Sequence, residues 1–299
     1  MSTIEDILIP NKSMHKDTTF SPFTISCGKK LHNYTRPAVM GILNATPDSF
    51  YDGGRYTDEE TILRRAEQIL SEGADIIDIG VVSSRPGATL LAPEVEAERL
   101  APIVKLVRSR FPEAVISVDT CYALPAEKAV EAGADIINDI SGGQFDDEMF
   151  PTVGRLKVPY ILMHTKGTPD HMQDNPHYDD ILQEVAHYFS ERLEALYRLG
   201  VNDVILDPGF GFAKSLDDNY DLFRQLPELI QLFPNEAMLV AVSRKSMIYR
   251  LLGTTPQEAL PGTLTLGIEA LRAGAQLLRV HDVKETVQSI QVYNKLISK

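Results

Sequence analysis

A segment that recurs four times constrains the fold of this 299-residue chain more than any other feature. In each copy a glycine follows a helical stretch, and a short apolar run then ends in a polar residue. A glycine after a helix favours the left-handed cap that closes it. An uninterrupted apolar run is typical of a strand buried on both faces of a parallel sheet. The copies are EGADIIDIG (72–80), EAGADIINDI (131–140), LGVNDVILDPG (199–209) and AGAQLLRVHD (273–282).

Further apolar runs raise the number of predicted strands to eight. They lie at 37–43, 115–119, 159–163 and 238–243. Helical patterns alternate with the strands, at about 58–72, 93–110, 124–132, 147–156, 178–199, 217–231, 257–273 and 283–297. Eight such units in roughly 250 residues predict an α/β fold of the (β/α)8 TIM-barrel type. A doubly wound open sheet is the structural alternative.

The chain shows no linker or shift in composition that would divide it after residue 36. We therefore predict one barrel domain at 37–299, preceded by an N-terminal extension at 1–36. Within the extension, FTISCGKKLHNY has the pattern of a short hairpin that turns at Gly28-Lys29. We expect this hairpin to lie across the N-terminal mouth of the barrel.

The composition argues against several classes of protein. Hydrophobic residues at 43% and charged residues at 24% are typical of a globular domain. A net charge of −13 without a basic stripe argues against a nucleic-acid partner. No apolar run approaches the ~20 residues of a membrane helix, and the first residues lack a secretory signal. The sparse cysteines, Cys27 and Cys121, fit a reducing compartment, so we expect a cytoplasmic protein.

Polar residues at the ends of the predicted strands indicate where a site would form. The segment VAVSRKS (240–246) closes an apolar run with two cations between two hydroxyls. Because a helix that follows such a strand adds backbone N–H donors, this position suits an anion. Other apolar runs that end in a polar residue lie at 40–44, 76–78, 116–119, 136–138, 161–164, 205–207 and 277–279. The parallel strands of a barrel bring such ends to one rim, where its active sites lie.

An anion pocket is predicted at the ends of the first and last strands, from Asn44, Arg279 and His281. In a closed barrel the last strand adjoins the first, so Arg279 and His281 would lie beside Asn44. Loops after the last strands often hold phosphate in this fold. The alternative is structural: Arg279 would pair with a nearby carboxylate, and His281 would cap the final helix.

Three further strand ends carry Asp119, Asn138 and Asp207. Their acceptor oxygens suit a neutral heterocycle with ring N–H and amino groups, and such a site rejects analogues that lack those donors. In the alternative, the two aspartates only cap the helices that follow them.

Metal and nucleophile signals are weaker. The segment with His164, His171 and His177 does not match the His-Glu-x-x-His spacing, and prolines interrupt it. Two distant cysteines exclude a thiolate zinc site. A Mg²⁺ ion shared with substrate phosphates, with Asn44 as its protein ligand, stays open. The serines at the strand ends lie in no Gly-x-Ser-x-Gly elbow, so we interpret their hydroxyls as ligand hydrogen-bonding groups.

Seven segments together resemble the dihydropteroate synthase family. They are MGILNATPDSFYDGG (40–54), DIIDIG (75–80) with SSRPGA (83–88), ISVDT (116–120), GADIINDI (133–140), LDPGFGFAK (206–214), VSRKSM (242–247) and RVHDV (279–283). The resemblance implies a TIM barrel that joins p-aminobenzoate to 6-hydroxymethyl-7,8-dihydropterin diphosphate. The products would be 7,8-dihydropteroate and pyrophosphate, in folate biosynthesis. It also implies Mg²⁺ as cofactor, small molecules as partners, and a homodimer through the late helices.

The resemblance assigns roles to individual residues. The residues that would bind the pterin are Asp119, Asn138, Met163, Asp207 and Lys245. Those that would bind the diphosphate are Asn44, Arg279 and His281, with Mg²⁺ at Asn44. Those that would shape the p-aminobenzoate pocket are Ser84, Arg85, Pro86, Phe212, Arg244 and Ser246. The residues expected to act in catalysis are Asp119, Lys245, Arg279 and Asp48, the last in the long loop after the first strand.

Three segments depart from the family pattern. Val81-Val82 precede Ser83-Ser84-Arg85 where the family usually has Gly-Glu-Ser-Thr-Arg, and Ala213 and Ala241 replace common glycines.

Three other functions compete with the synthase. A pterin-binding methyltransferase domain shares the barrel and the pterin contacts, a non-catalytic barrel would only bind pterin, and an aldolase-type barrel would need a Schiff-base lysine.

Overall fold

The computed structural model describes residues 20–28, 30–45, 55–82, 90–167 and 176–298, with the side chains of 55–58 excepted. Eight parallel strands form a closed barrel in the order β10-β3-β4-β5-β6-β7-β8-β9, which confirms the predicted TIM barrel. The barrel strands are β3 (Ala38–Asn44), β4 (Ile76–Gly80), β5 (Val115–Asp119), β6 (Ile136–Asp139), β7 (Tyr160–Met163), β8 (Val204–Asp207), β9 (Ala237–Val240) and β10 (Leu277–Val280).

Helices follow the strands and cover the outside of the barrel. They are α1 (Arg55–Ser71), α2 (Pro93–Arg110), α3 (Ala123–Glu131), α4 (Met149–Leu156), α5 (Ile181–Arg198), α6 (Leu216–Arg224), α7 (Leu226–Leu232), α8 (Ser246–Leu252), α9 (Leu260–Ala273) and α10 (Val283–Ile297), with a 3-10 turn at Pro256–Glu258. The larger core lies between this helical shell and the outward faces of the strands. Among the described residues, no helix has the length and apolar character to span a membrane.

Two helical segments differ from the sequence prediction. The helix expected over 217–231 is divided into α6 and α7, because Pro227 occupies the first turn of α7 and has no N–H to continue the preceding helix. After β9 the chain forms the short α8 before the predicted helix at 257–273. β9 itself ends at Val240, so Ser243, Arg244 and Lys245 lie beyond the strand.

The predicted hairpin is present as β1 (Phe23–Cys27) and β2 (Lys30–Tyr34), which pair antiparallel. Its buried side chains pack against the first residues of the barrel strands. The hairpin contributes Phe23, Ile25, Cys27 and Tyr34. The barrel strands contribute Ala38, Ile76, Val115, Ile136, Ile161, Ile205, Ala237 and Leu277. The hairpin therefore covers the N-terminal mouth of the barrel, as expected. The proposed division between an extension and a barrel domain at residue 37 stays a prediction.

Candidate active site

The interior of the barrel changes from apolar to polar along its axis. The inward-facing residues at the N-terminal end of the strands, such as Ile76 and Ile136, are apolar. Side chains two residues apart in a strand share a face, so the residues two positions further along also point inward. In β4 the residue after Ile76 on this face is Asp78, and in β6 the residue after Ile136 is Asn138. Asp78 and Asn138 are buried, as is Asp207 in β8. Polar groups thus gather at the C-terminal end of the barrel, where this fold places its active sites.

Arg279 of β10 lies between two carboxylates at this end. Its Nε donates to Oδ2 of Asp78 at 2.6 Å, and its Nη2 donates to Oδ2 of Asp119 at 2.7 Å. Nδ2 of Asn138 donates to the same Asp78 oxygen at 3.2 Å. Burial alone would lower the pKa of Arg279, but the two carboxylates raise it above its usual value. The structural alternative predicted that Arg279 would pair with a nearby carboxylate, and it pairs with two.

Asp119 has an unusual protonation equilibrium. Burial raises the pKa of its carboxyl to about 7, Arg279 opposes the shift, and Asp78 adds to it. A carboxyl poised near neutrality is a frequent feature of active sites. The group can accept a hydrogen bond when ionised and donate one when protonated.

Asp207 and Lys245 form a second group of interacting charges at this end of the barrel. Oδ1 of Asp207 accepts a hydrogen bond from the Gly209 amide at 2.8 Å. Burial raises the pKa of Asp207, and Lys245 opposes that rise. Burial lowers the pKa of Lys245 to about 8, with Asp207 opposing. Nζ of Lys245 donates to the Phe210 carbonyl oxygen at 2.6 Å and lies 4.5 Å from the centre of the Phe212 ring.

The loop after β8 has a backbone that few side chains tolerate. Gly209, Gly211 and Ala213 all have positive φ, and Ala213, at 48°, carries a Cβ in this region. Glycine avoids that strain, so the alanine at 213 costs backbone energy that the glycine of the family pattern would not, and nothing in the structure explains the departure. A Cβ on Gly209 would lie 2.0 Å from the His164 carbonyl oxygen, so the loop packs directly on the end of β7.

Lys214 stabilises this loop through hydrogen bonds to its backbone. Its buried Nζ donates to the carbonyl oxygens of Gly209 at 3.0 Å and Phe212 at 3.1 Å, and it lies 2.9 Å from Nδ1 of His164. Burial lowers the pKa of Lys214 to about 7 and holds that of His164 well below its usual range, so His164 is a neutral acceptor. Sequence reasoning assigned no role to Lys214, although it closes one of the seven family-like segments.

Arg244 is already engaged by a neighbouring carboxylate. Its Nε donates to Oδ2 of Asp282 at 2.9 Å and its Nη2 to Oδ1 at 2.5 Å. Its backbone has a φ of 56°, and its amide donates to Oγ1 of Thr263 at 3.0 Å. Lys245 and Ser246, next along the chain, form the N-terminal boundary of α8. The expected role of Arg244 at p-aminobenzoate stays a prediction.

His281 follows the last barrel strand but does not cap the final helix. The N-cap position of α10 is Asp282, and no side chain there makes a capping hydrogen bond. The His281 amide donates to Oγ of Ser243 at 3.2 Å, and its carbonyl accepts from Nη2 of Arg65 at 3.0 Å. Burial lowers the pKa of its imidazole to about 4, with Arg279 adding to the effect. The ring is therefore neutral near pH 7.

The structure brings together most of the predicted pterin residues and leaves several others outside its described part. Met163 and Phe212 are buried in one apolar cluster beside Cys121 and Ile140. Asn44 is exposed at the end of β3. Predicted site residues that lie outside the described ranges are Asp48, Ser84, Arg85 and Pro86.

One acidic residue that holds two site residues in position, Asp78, had no predicted role. Asp78 was recognised only as the polar end of an apolar run, yet it is fully buried and contacts both Arg279 and Asn138. A single Asp inside a run of isoleucines is the signal that could have found it, since buried carboxylates are rare unless paired.

Comparisons with known proteins agree with this geometry. The family model for pterin binding enzymes matches residues 40–281. The dihydropteroate synthase of Synechocystis sp. is 41% identical over 282 residues, which cover 93% of this chain and 96% of that protein. The Escherichia coli dihydropteroate synthase is 41% identical over 266 residues, 88% of this chain and 93% of the relative.

Solved structures agree as well. The Yersinia pestis dihydropteroate synthase in complex with a sulfonamide drug has a TM-score of 0.85 and 38% identity, and the match covers 93% of this chain and 100% of that one. The Xanthomonas albilineans enzyme with 4-aminobenzoic acid has a TM-score of 0.85 and 37% identity, with coverage of 93% and 100%. The chain belongs to the dihydropteroate synthase family of pterin-binding enzymes.

Proposed function

We propose that this chain condenses 6-hydroxymethyl-7,8-dihydropterin diphosphate with p-aminobenzoate, giving 7,8-dihydropteroate and pyrophosphate in folate biosynthesis. The observation that carries the proposal is the meeting of Asp119, Asn138, Asp207, Lys245 and Arg279 at one end of the barrel. Solved relatives from Xanthomonas albilineans hold 4-aminobenzoic acid and 7,8-dihydropteroate. The reaction transfers an alkyl group, so the enzyme is a transferase.

The pterin would occupy the polar layer of the barrel. Ionised Asp119 and Asp207 would accept hydrogen bonds from ring N–H and amino groups, and Asn138 can both donate and accept. Lys245 would donate to the acceptor atoms of the ring, and Met163 would line the apolar side. Nζ of Lys245 bonds a carbonyl oxygen and forms no ion pair with a carboxylate of the described residues, so its charge can act on a ligand.

The p-aminobenzoate would lie nearer the rim, against Phe212 and Ser246. Phe212 is held in place by Lys245 on one side and by the Lys214 hydrogen bond to its carbonyl on the other. For Arg244 we propose a supporting role, because its guanidinium bonds Asp282 through two donors. The proposed contributions of Ser84, Arg85 and Pro86 rest on the family resemblance.

The diphosphate would bind to Arg279, His281 and Asn44. The exposed amide of Asn44 fits a Mg²⁺ ion, which in proteins is often held by few side chains together with substrate phosphates and water. When bound, Mg²⁺ would supply charge neutralisation on the diphosphate. Arg279 would stabilise the negative charge that develops on the leaving group, and the neutral imidazole of His281 would act as a hydrogen-bonding group.

The chemistry requires little activation of the nucleophile. The bond between the exocyclic methylene carbon and the diphosphate oxygen breaks, the amine nitrogen bonds that carbon, and the nitrogen then loses a proton to water. The electron-rich dihydropterin spreads the developing positive charge, and Asp48 is proposed to lie near it. Holding both substrates in register can lower the barrier by roughly 7–11 kcal/mol.

The test is a pyrophosphate assay on the purified chain with both substrates and Mg²⁺. We expect stoichiometric pyrophosphate and 7,8-dihydropteroate. Pterin binding without product would favour a non-catalytic barrel, and methyl transfer to a corrinoid would favour the methyltransferase. Absence of both product and pterin binding would refute the proposal.

We also propose a cytoplasmic homodimer that contacts through the late helices. Five of the ten large hydrophobic residues exposed in the described part of the chain lie in α8 and α10: Leu251, Leu252, Val292, Leu296 and Ile297. Both helices contact α9 and so belong to the same side of the barrel. Cys27 and Cys121 are buried free thiols, which supports a reducing compartment.

A further inference from the structure

The two carboxylates that hold Arg279 differ in their surroundings. The Asp78 side chain is fully buried, whereas that of Asp119 keeps 11% of its exposure. Oδ2 of Asp78 accepts hydrogen bonds from both Arg279 and Asn138. Asp78 is therefore fixed from two sides, while Asp119, the last residue of β5, lies closer to the open end.

The second oxygen of Asp78 has unused capacity. Oδ1 is buried and receives a hydrogen bond from none of the described residues. An acceptor buried in this way costs free energy until a donor reaches it. The covalent geometry of arginine points to Nη2 of Arg279 as the donor, because Nη2 lies on the same edge of the guanidinium as the Nε that already bonds Asp78.

Arg244 and Asp282 show the arrangement that this edge can form. There Nε and Nη2 donate to the two oxygens of a single carboxylate, at 2.9 and 2.5 Å. At Arg279 the same two donors are shared between two carboxylates. Asp78 therefore lacks only one hydrogen bond of a complete bidentate pair, and the Nη2 group that would donate it is directed to Asp119 instead.

We propose that Asp78 is a positioning residue that accepts Nη2 of Arg279 when Asp119 turns to the pterin ring. The inference rests on the proposed function, in which Asp119 pairs with ring donors. The exchange keeps Nη2 of the buried guanidinium hydrogen-bonded after Asp119 leaves it, and a buried donor left without an acceptor would cost free energy. Arg279 also keeps its orientation toward the diphosphate, since Nε stays on Asp78.

A crystal structure with bound 6-hydroxymethyl-7,8-dihydropterin tests the exchange directly. We expect Nη2 of Arg279 within about 3 Å of Oδ1 of Asp78, and Asp119 bonded to the ring. Nη2 still bonded to Asp119 in the pterin complex would overturn the inference. If the wild-type chain bound no pterin at all, the proposed function would fail first, and the inference with it.

The variant Asp78→Asn separates positioning from folding. Its amide oxygen can still accept from Nε, but its NH₂ group cannot accept Nη2, so the exchange is blocked. We expect the Kd for the pterin, measured by calorimetry, to rise about tenfold, the loss of one hydrogen bond to a charged group. The KM for p-aminobenzoate should change by less than about twofold, a split that general destabilisation would not produce.

A matched control lies at the other end of the barrel. Asp135 bonds Nη2 of Arg108 at 2.6 Å, so Asp135→Asn also removes a carboxylate from a partly buried guanidinium. Pterin affinity should be unchanged in this control. Equal losses in both variants, or unchanged affinity in folded Asp78→Asn, would contradict the role of Asp78. If Asp78→Asn fails to fold, the pterin complex of the wild-type chain still decides.

Discussion

Lys245 donates a hydrogen bond of 2.6 Å to the carbonyl oxygen of Phe210, so the turn after β9 is tied to the loop after β8. The cation is therefore directed by backbone rather than by a carboxylate. Its charge stays available to a ligand, although burial lowers its pKa to about 8. This contact links the two segments that carry Phe212, Arg244, Lys245 and Ser246, four of the residues proposed for the pterin and p-aminobenzoate pockets.

Replacement of Lys245 should abolish most turnover. In Lys245→Ala we expect kcat to fall at least about 100-fold, the usual effect of removing a donor that stabilises charge in the transition state. Steady-state kinetics with both substrates would measure this. Arg250→Ala, which removes an exposed cation from the same helix, is the control and should retain turnover. Wild-type kcat in Lys245→Ala would remove Lys245 from the site.

The pH dependence should be bell-shaped. Asp119, with its pKa at about 7, must be ionised to accept ring N–H groups, so pterin use improves as the pH rises through 7. Lys245, with its pKa at about 8, must be protonated to donate, so pterin use declines as the pH rises through 8. The measurement is kcat/KM for the pterin diphosphate between pH 5 and 10, a range of about five units that spans both groups.

The variant Asp119→Asn tests the assignment of the acid limb. Its amide does not titrate, so the increase in kcat/KM through neutral pH should disappear while the decline at higher pH stays. An acid limb that persists in folded Asp119→Asn would assign that limb to another group.

The loop after β8 should tolerate no side chain at Gly209. Its φ is 68° and a Cβ would lie 2.0 Å from a backbone oxygen, so Gly209→Ala should cost at least about 3 kcal/mol of unfolding free energy. Gly167 has a similar φ of 69°, but no described atom lies within 4 Å of the position that its Cβ would take, so Gly167→Ala should cost only about 1 kcal/mol. Urea unfolding of both variants checks the difference, and equal costs would refute the steric explanation.

The oligomeric state should depend on α10. Leu296 of this helix is 76% exposed in the single chain. The proposed dimer would bury it, and the core of a subunit interface is depleted of charged residues. We expect Leu296→Glu to convert a dimer into a monomer by size-exclusion chromatography with light scattering. Leu31→Glu, at a position 73% exposed on the hairpin, should stay dimeric. A wild-type monomer would refute the proposed dimer.

The sequence predicted the barrel well because strand order in a TIM barrel follows chain order. Apolar runs with polar ends located all eight strands and brought Asp119, Asn138, Asp207 and Arg279 to one rim. The break between α6 and α7 was missed, although Pro227 marks it.

Contacts between distant segments were harder to predict. The burial of Lys214 against His164, and the pairing of Arg244 with Asp282, depend on how loops fold back and have no periodic signal. Asp78 was underestimated for a different reason. A lone acid within an apolar run gives no indication of its partner, which here lies 201 residues away in the chain.

The hairpin at Phe23–Tyr34 has a kinetic consequence. Because it covers one mouth of the barrel, substrates and products would pass through the opposite end, where the polar residues of the described strands gather. Asp119, Asn138 and Asp207 belong to the barrel strands, whereas Phe212 lies in the loop that follows β8. A molecule of p-aminobenzoate seated first against Phe212 would therefore obstruct the passage of the pterin to the strand residues. Turnover should then follow a compulsory order, with the aryl amine arriving second.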